Sequence, residues 1–331
     1  MSEQPTTARG LGLCSGGLDS ILSALVLRQQ GVEVHWVSFE TPFFSSEKAK
    51  KASAVTGIPL IVRKITPVYL QMMRSASVQF GKHMNPCMDC HTLMFRLAGE
   101  MMTEQGFDFL FSGEVLGQRP MSQTRTSLRY VEKHSGYDGY ILRPLSAKNL
   151  PETIPEQQGW VDRKRLLDIF GRGRKRQIQL ARAFKVTDYP APAGGCLLTD
   201  KLFSRRLKDL FDHQASTPEK DLELLKFGRH LRLDPTTKII VGRTRQDNVE
   251  IGRFVDPKAD MLFKVDAYPG PLVVMPGGGP EPLVMLAAGI CAGYSKAPDN
   301  DLVTVTVKEH GRRRQVTVLG IPPAENKKFL I

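Results

Sequence analysis

The sequence predicts an α/β protein, a parallel sheet with helices on both faces, joined to a smaller C-terminal α+β domain. Three observations carry this. Leu11 to Leu13 end an apolar run, Ser15-Gly16-Gly17 turns the chain, and Asp19 to Gln30 continues at helical spacing with Leu22, Leu25 and Val26 on one stripe. Strand-length apolar runs then alternate with helical stretches of about 10 to 15 residues, the pattern of parallel strands joined by right-handed crossovers. Beyond about residue 220 the composition changes to strands and turns, with Val303, Val305 and Val307 alternating against threonine and lysine.

The elements follow in order. Val32 to Phe39 reads as a second buried strand, Ser46 to Thr56 as a polar-faced helix and Pro59 to Ile65 as a third strand. Leu93 to Gln105 reads as a helix and Phe107 to Phe111 as a fourth strand, ending in Ser112-Gly113-Glu114. Ligands of such sheets bind beyond the carboxyl ends of the strands, which makes Ser15, Phe39 and Gly113 candidates for a nucleotide pocket. Helices are expected at Asp162 to Phe170 and Lys175 to Phe184, in a largely helical part spanning about 145–213. Ser204 to His213 reads as a basic amphipathic helix and closes a first domain, 1–213. Gln214 to Lys220 reads as a linker before a second domain, 221–331. There Lys238 to Gly242 is a strand, and Met275 to Pro280 is a loop before a helix at Glu281 to Ala292. Leu302 to Lys308 and Gln315 to Leu319 pair about a basic tip, Glu309 to Arg314.

Composition narrows the class. The 331 residues are 41% hydrophobic and 24% charged, values of a globular protein, and no run approaches a membrane span. The first residues, MSEQPTTARG, lack the apolar core of a secretion signal. The five cysteines have no framework spacing, so reduced thiols and a cytoplasmic location are expected. Lys and Arg number 46 against 34 Asp and Glu, a formal charge of +12 that suits a polyanionic partner. The oligomeric state stays open, a homodimer included.

Two glycines at the start of a helix let backbone N–H groups approach an anion, and the helix adds its positive dipole end. Cys14, Ser15, Gly16, Gly17, Asp19 and Ser20 make up this phosphate-binding turn. Cys14 itself, like Cys291, lies in an apolar or small-residue run and reads as a core residue. No Walker A pattern or phosphate lysine is present. The hexapeptide SGGLDS instead resembles the PP-loop of ATP pyrophosphatases of the adenine nucleotide alpha hydrolase-like fold, which implies ATP as substrate.

Asn85-Pro86-Cys87-Met88-Asp89-Cys90-His91 places two thiols at or near a helix N-terminus, where the dipole favours thiolate. The C-x-x-C spacing alone fits zinc, a cluster, a redox disulfide or two packed thiols, and no second pair follows at zinc-finger spacing. His91 reads as a solvated first-turn residue. Cys196 follows Gly194-Gly195, a turn that can bring a thiol close to another group. Arg172, Arg174, Lys175 and Arg176 form a basic cluster that reads equally as a solvated face or a phosphate grip.

Taken together, SGGLDS, N-P-C-x-x-C and Gly194-Gly195-Cys196-Leu197-Leu198-Thr199-Asp200 resemble the PP-loop tRNA thiolation enzymes, the 2-thiouridine and 4-thiouridine synthases. Ile141-Leu142-Arg143-Pro144-Leu145-Ser146, Gly159-Trp160-Val161-Asp162 and Gly171 to Arg176 strengthen the likeness, which covers about residues 8 to 210. The tRNA-binding region that bacterial 4-thiouridine synthases carry ahead of the loop is not legible here, nor is their rhodanese-like sulfur carrier. Phe227-Gly228-Arg229-His230 and Ile240-Val241-Gly242-Arg243 resemble the RNA-binding domain of NFACT proteins, which implies a second route to a tRNA partner.

The resemblance implies adenylation of a uridine carbonyl oxygen, with pyrophosphate leaving into the Ser15 to Ser20 cradle and Mg²⁺ offsetting phosphate charge near Asp19. Sulfur from inorganic sulfide or a persulfide carrier then displaces AMP. Cys90 or Cys196 would carry a persulfide, or Cys87, Cys90 and Cys196 would hold a 4Fe–4S cluster with one iron open. The three cysteines favour the cluster. Two other functions fit the same residues: a PP-loop adenylating enzyme using nitrogen or a small molecule with structural cysteines, and an RNA-binding protein with a degenerate nucleotide site.

Overall fold

The computed structural model describes residues 7–190 and 196–331, so the expected Gly194-Gly195 turn lies outside the described residues. Two compact units divide the chain, Met1–Leu197 and Leu198–Ile331.

The first unit runs β1 (Arg9–Leu13), α1 (Leu18–Arg28), β2 (Glu33–Glu40), α2 (Glu47–Thr56), β3 (Leu60–Lys64) and α3 (Thr66–Met73). It continues with α4 (Cys87–Gln105), β4 (Phe109–Ser112), α5 (Arg125–Ser135), β5 (Ile141–Leu142), α6 (Ile154–Gln157) and α7 (Lys175–Ala183). Its five strands stand in the order β3-β2-β1-β4-β5 and every neighbouring pair is parallel. Strand order reverses between β1 and β4. The turn after β1 therefore opens at the topological switch point, where doubly wound sheets bind ligands.

Helices flank this sheet, as the strand–helix alternation predicts. Trp36, Phe109 and Phe111 are buried in one core with Leu18, Leu22 and Val26 of α1, Ala49 and Ala52 of α2 and Ala181 of α7. Helix α4 lies across β1 and β4 with α5 against it. Strands buried by helices on both sides need continuous apolar runs, and β4 is buried at every residue.

One expected helix is absent. Asp162 caps only a 3₁₀ turn, Arg163–Arg165, by accepting from Lys164 N, and the chain then extends. Its amides pair outside the segment: Leu167 N donates to Pro144 O at 3.0 Å and Ile169 N to Leu145 O at 2.8 Å. Leu166 and Ile169 are both buried in the α1 core, a three-residue spacing that suits a helix although the backbone after Arg165 is not helical.

The second unit comprises α8 (Lys201–His213), α9 (Glu219–Leu224), β6 (Arg229–Arg232), β7 (Lys238–Val241), α10 (Arg245–Arg253) and β8 (Met261–Val265), then β9 (Val273–Met275), α11 (Glu281–Gly293), β10 (Leu302–Glu309) and β11 (Arg312–Leu319). Its six strands follow the order β11-β10-β8-β9-β7-β6, antiparallel throughout, with α11 packed on the sheet. The alternation that marked Val303, Val305 and Val307 buries all three in the core beneath α11. Division falls ahead of α8, where the sequence reading puts it after His213. Arg206 of α8 explains this: it is buried and donates to Leu225 O at 2.8 Å and Gly228 O at 2.9 Å. Asp209 accepts from Arg232 Nη2 at 2.6 Å, so α8 is tied to β6 as well.

The basic tip is shorter than expected, a turn at His310-Gly311, because β11 begins at Arg312. Arg313 bonds Asp266, and Arg314 makes two bonds to Glu281, so these cations are engaged inside the unit.

Candidate active site at the carboxyl edge of the parallel sheet

The phosphate turn is built by close approach. Gly16 has φ +69°, and a Cβ there would lie 2.2 Å from the Lys48 carbonyl carbon, so the turn presses on the start of α2. Gly113, at the end of β4, would place a Cβ 2.4 Å from the Asp19 carbonyl carbon, so this glycine lets β4 abut the first turn of α1. Gly17, at φ −79°, precedes the helix without a side-chain cap, which leaves the first amides of α1 open toward an anion. Ser20 Oγ donates to Gly17 O at 2.8 Å and braces the turn. Cys14 is buried beneath it and receives Gly16 N–H at 3.4 Å; burial pushes its thiol up to about 11. Ser15 is exposed at the apex and Phe39 is buried at the end of β2.

Asp19 stands on the first turn of α1. Its Oδ2 accepts from Gln118 Nε2 at 2.7 Å, and Gln118 Oε1 accepts from Gln177 Nε2 at 3.3 Å. Burial pushes the Asp19 carboxyl above the ordinary range, opposed by the Gln118 bond and by the charges of Arg174 and Arg119. Three polar atoms in this cluster are buried with no hydrogen-bond partner: Asp19 Oδ1, Gln177 Oε1 and Arg174 Nε. Buried orphans are rare in folded proteins, and three together mark a place for a polar ligand. A bare carboxylate oxygen beside two guanidiniums fits a magnesium–phosphate pair: the oxygen suits the hard cation and the arginines suit the phosphate.

The thiols form a second group. Helix α4 starts at Cys87, after Pro86, and Cys90 N donates to Pro86 O at 2.7 Å, so both cysteines occupy its first turn. Leu197 N donates to Phe43 O at 3.1 Å, fixing the residue after Cys196 to the loop that follows β2. Phe43 and Phe44 pack on Tyr69 of α3, with ring centroids 5.7 and 5.4 Å away. The buried Tyr69 hydroxyl lies against these thiols. Burial pushes it well above the ordinary phenol range, and the charges of Cys90, Cys196 and Cys87 push the same way. Burial likewise pushes the Cys90 thiol up to about 12, with Cys196 and Cys87 contributing and Tyr69 opposing. This corrects the expectation that the helix dipole makes Cys90 a thiolate, since desolvation and neighbouring sulfurs outweigh it.

None of the five cysteines is in a disulfide. Among the described residues no three His, Cys, Asp or Glu side chains close around a single metal ion. Cys87 and Cys90 are one helical turn apart, and Cys196 and Cys87 are near enough to act on the Cys90 thiol, so the three sulfurs share one region at the start of α4.

His91 differs from its sequence reading. Its Nδ1 lies 2.9 Å from Glu114 Oε1, and Glu114 Oε2 accepts from Arg143 Nε at 3.0 Å and Ser112 Oγ at 3.1 Å. Arg143 is 2% exposed and also bonds Glu132. Burial alone would raise the Glu114 carboxyl, but the Arg143 charge and His91 hold it at about 2. The imidazole beside Cys90 is thus oriented by a buried carboxylate.

All these groups follow the carboxyl ends of parallel strands: the phosphate turn follows β1, Thr41–Phe44 follows β2 and Gly113-Glu114 follows β4. The topology brings Asp19, Gly16, Gly17 and Gly113 together, and separately Cys87, Cys90 and Cys196. Gln118, Arg119, Gln177, Tyr69 and Glu114 were not legible as site residues. Of the basic cluster Arg174 acts electrostatically on Asp19, and Arg176 pairs with Asp168 at 2.6 Å.

Residues 5–154 match the family model described as thiamine biosynthesis protein (ThiI), and residues 228–330 match that of the NFACT protein RNA binding domain. A probable tRNA sulfurtransferase of Finegoldia magna is 30% identical over 158 residues, covering 45% of this chain and 38% of the relative. Another, from Thermoanaerobacter pseudethanolicus, is 32% identical over 158 residues, covering 45% and 40%. The chain therefore spans less than half the length of these curated relatives. A solved 4-thiouridine synthetase–RNA complex with bound ATP aligns at 26% identity with a TM-score of 0.34, covering 39% of this chain and 35% of that one.

Proposed function

We propose that this chain is an ATP-dependent tRNA uridine thiolase of the cytoplasm. One observation carries the reading: an orphan-rich phosphate turn and three converging thiols share the carboxyl edge of one parallel sheet. The match of the first unit to a family model and to relatives named probable tRNA sulfurtransferases supports it, as does the match of the second to an RNA-binding model.

A uridine carbonyl oxygen is a poor leaving group. It attacks the α-phosphorus of ATP, the bond to the β-phosphate breaks, and pyrophosphate leaves toward the uncapped first amides of α1 behind Gly16 and Gly17. Arg119 and Arg174 stabilise the developing charge there. Asp19 Oδ1 would hold Mg²⁺, which offsets charge on the phosphates. A sulfur nucleophile then adds to the activated carbon and AMP departs with the former carbonyl oxygen. Cys87, Cys90 and Cys196 would hold a 4Fe–4S cluster, which supplies an open iron able to bind sulfide. Tyr69 and the Glu114-held His91 orient the surroundings of those thiols.

Anaerobic incubation with tRNA, ATP, Mg²⁺ and sulfide, followed by mass spectrometry of the nucleosides, tests the proposal. Thiouridine and equimolar AMP are expected. AMP and pyrophosphate without thiouridine, unaffected by Cys87→Ala and Cys196→Ala, would move the protein to adenylation with another nucleophile.

A further inference from the structure

The second unit contains a cleft of about 800 Å³ between the start of α10, β8 and the loop 266–271, with Tyr294 at the end of α11. Its size is that of a small-ligand site. Five cations line it: Arg229, Arg243, Arg245, Lys264 and Lys296. Arg243 pairs with Asp247 at 2.9 Å, and the Arg229 guanidinium lies 5.1 Å from the centroid of Tyr294. Arg245, Lys264 and Lys296 are exposed and have no salt-bridge partner among the described residues. The one acid in the lining, Asp266, accepts from Thr306 Oγ1 at 2.7 Å and from Arg313, both outside the cleft, and Lys264 of the lining also acts on it. Tyr268 is 37% exposed in the same lining.

We infer that this cleft binds an unpaired nucleotide of an RNA strand, its base against Tyr268 and its flanking phosphates on Arg245, Lys264 and Lys296. Unpaired like charges around one concavity are destabilising without a polyanion, which accounts for the phosphates. A volume beyond that of one phosphate and an exposed aromatic ring account for the base. A ring inside a cleft reaches a base only when it is unstacked, so single strands, loops and bulges fit and a regular duplex does not. The assignment deepens the RNA-modification reading by naming where this unit holds its substrate. It is testable with no ATP present.

Fluorescence anisotropy of the full chain with a short single-stranded RNA, the same sequence as a duplex, and polyglutamate as competitor decides it. The triple variant Arg245→Ala, Lys264→Ala, Lys296→Ala should lose at least about tenfold in affinity, and its log–log salt slope should become shallower by about 2. Tyr268→Ala should lose about tenfold on the single strand, the size of one base stack. Melting curves of both variants check that the fold is kept. Unchanged affinity and slope in the triple variant would overturn the proposal. So would equal binding of duplex, indifference to Tyr268→Ala, or competition by polyglutamate as strong as that of unlabelled RNA. Failure here leaves ATP-dependent pyrophosphate release untouched, whereas failure of the thiolation reading leaves this RNA binding intact.

Discussion

Gln118 Nε2 donates to Asp19 Oδ2 at 2.7 Å and leaves Asp19 Oδ1 buried without a partner. The bond orients the carboxylate so that one oxygen is satisfied by protein and the other is available. Asp19→Asn keeps the shape but presents an amide in place of an anion. It should lower pyrophosphate release by about 10²-fold or more with a melting temperature near that of the parent. Gln118→Ala, which frees the carboxylate to swing, should cost about tenfold, the worth of a hydrogen bond to a charged group. Steady-state pyrophosphate assays on both variants check this.

The two glycines of the turn should separate stability from function. An alanine Cβ at Gly16 meets the Lys48 backbone at 2.2 Å and sits at φ +69°, so Gly16→Ala should lose about 2 kcal/mol or more and melt several degrees lower. At Gly17 the nearest atom to an added Cβ is Ser15 Oγ at 3.3 Å, which can rotate away, and φ is −79°. Gly17→Ala should therefore melt like the parent while weakening ATP binding, because the methyl group occupies the approach to the helix amides. Calorimetry with and without nucleotide distinguishes the two.

Cysteine replacement should split the reaction. The thiols act after adenylation, so Cys87→Ala, Cys90→Ala and Cys196→Ala should each keep pyrophosphate release within about threefold and lose thiouridine by more than 10²-fold. Iron and sulfide content of anaerobically purified protein should fall in each variant but not in Cys291→Ala, whose thiol is on the buried face of α11 in the other unit. A persulfide route would leave the protein iron-free and make a single cysteine indispensable.

Glu114 predicts the acid limb of stability. Its carboxyl is held at about 2 in the folded state against an ordinary 4.5, chiefly by the Arg143 charge overcoming burial. A depressed folded value means that the contribution is fully present above about 4.5 and is lost as pH falls toward 2, on the order of 3 kcal/mol in all. Urea melts of Glu114→Gln should show lower stability at neutral pH and a flatter dependence between those values than the parent. Equal slopes would remove Glu114 from the acid transition.

The strand–turn–helix at Leu11 to Arg28 and the alternation of Val303 to Val307 were legible because periodicity and glycine placement are local properties. The phosphate turn and C-x-x-C were legible for the same reason, since each is a short run with its own chemistry. Gln118 and Gln177 were not, because an amide 99 residues from Asp19 carries no mark of its partner until β1 and β4 pair. Glu114 was read only as the end of a strand, and its link to His91 depends on where α4 falls on the sheet. The missing helix after Asp162 shows the complementary limit: the three-residue spacing of buried Leu166 and Ile169 suits a helix, and tertiary pairing with Pro144 and Leu145 overrides it.

The same limit moved the domain boundary, and it gives a direct test. Gln214 to Lys220 looks like a linker by composition, yet Arg206 and Asp209 ahead of it make four charged hydrogen bonds to Leu225, Gly228 and Arg232 beyond it. Each such bond contributes about 1.5–3 kcal/mol, and removing one partner of a buried set leaves the other unsatisfied. Together they approach the whole stability of a small domain, about 5–15 kcal/mol. A fragment 198–331 should therefore melt cooperatively, whereas 221–331 should show no cooperative transition and should bind a hydrophobic dye. Arg206→Met in the longer fragment should fall between them, because it keeps the packing stem and loses both carbonyl bonds. Equal melting of the two fragments would show that α8 belongs with the parallel-sheet unit after all.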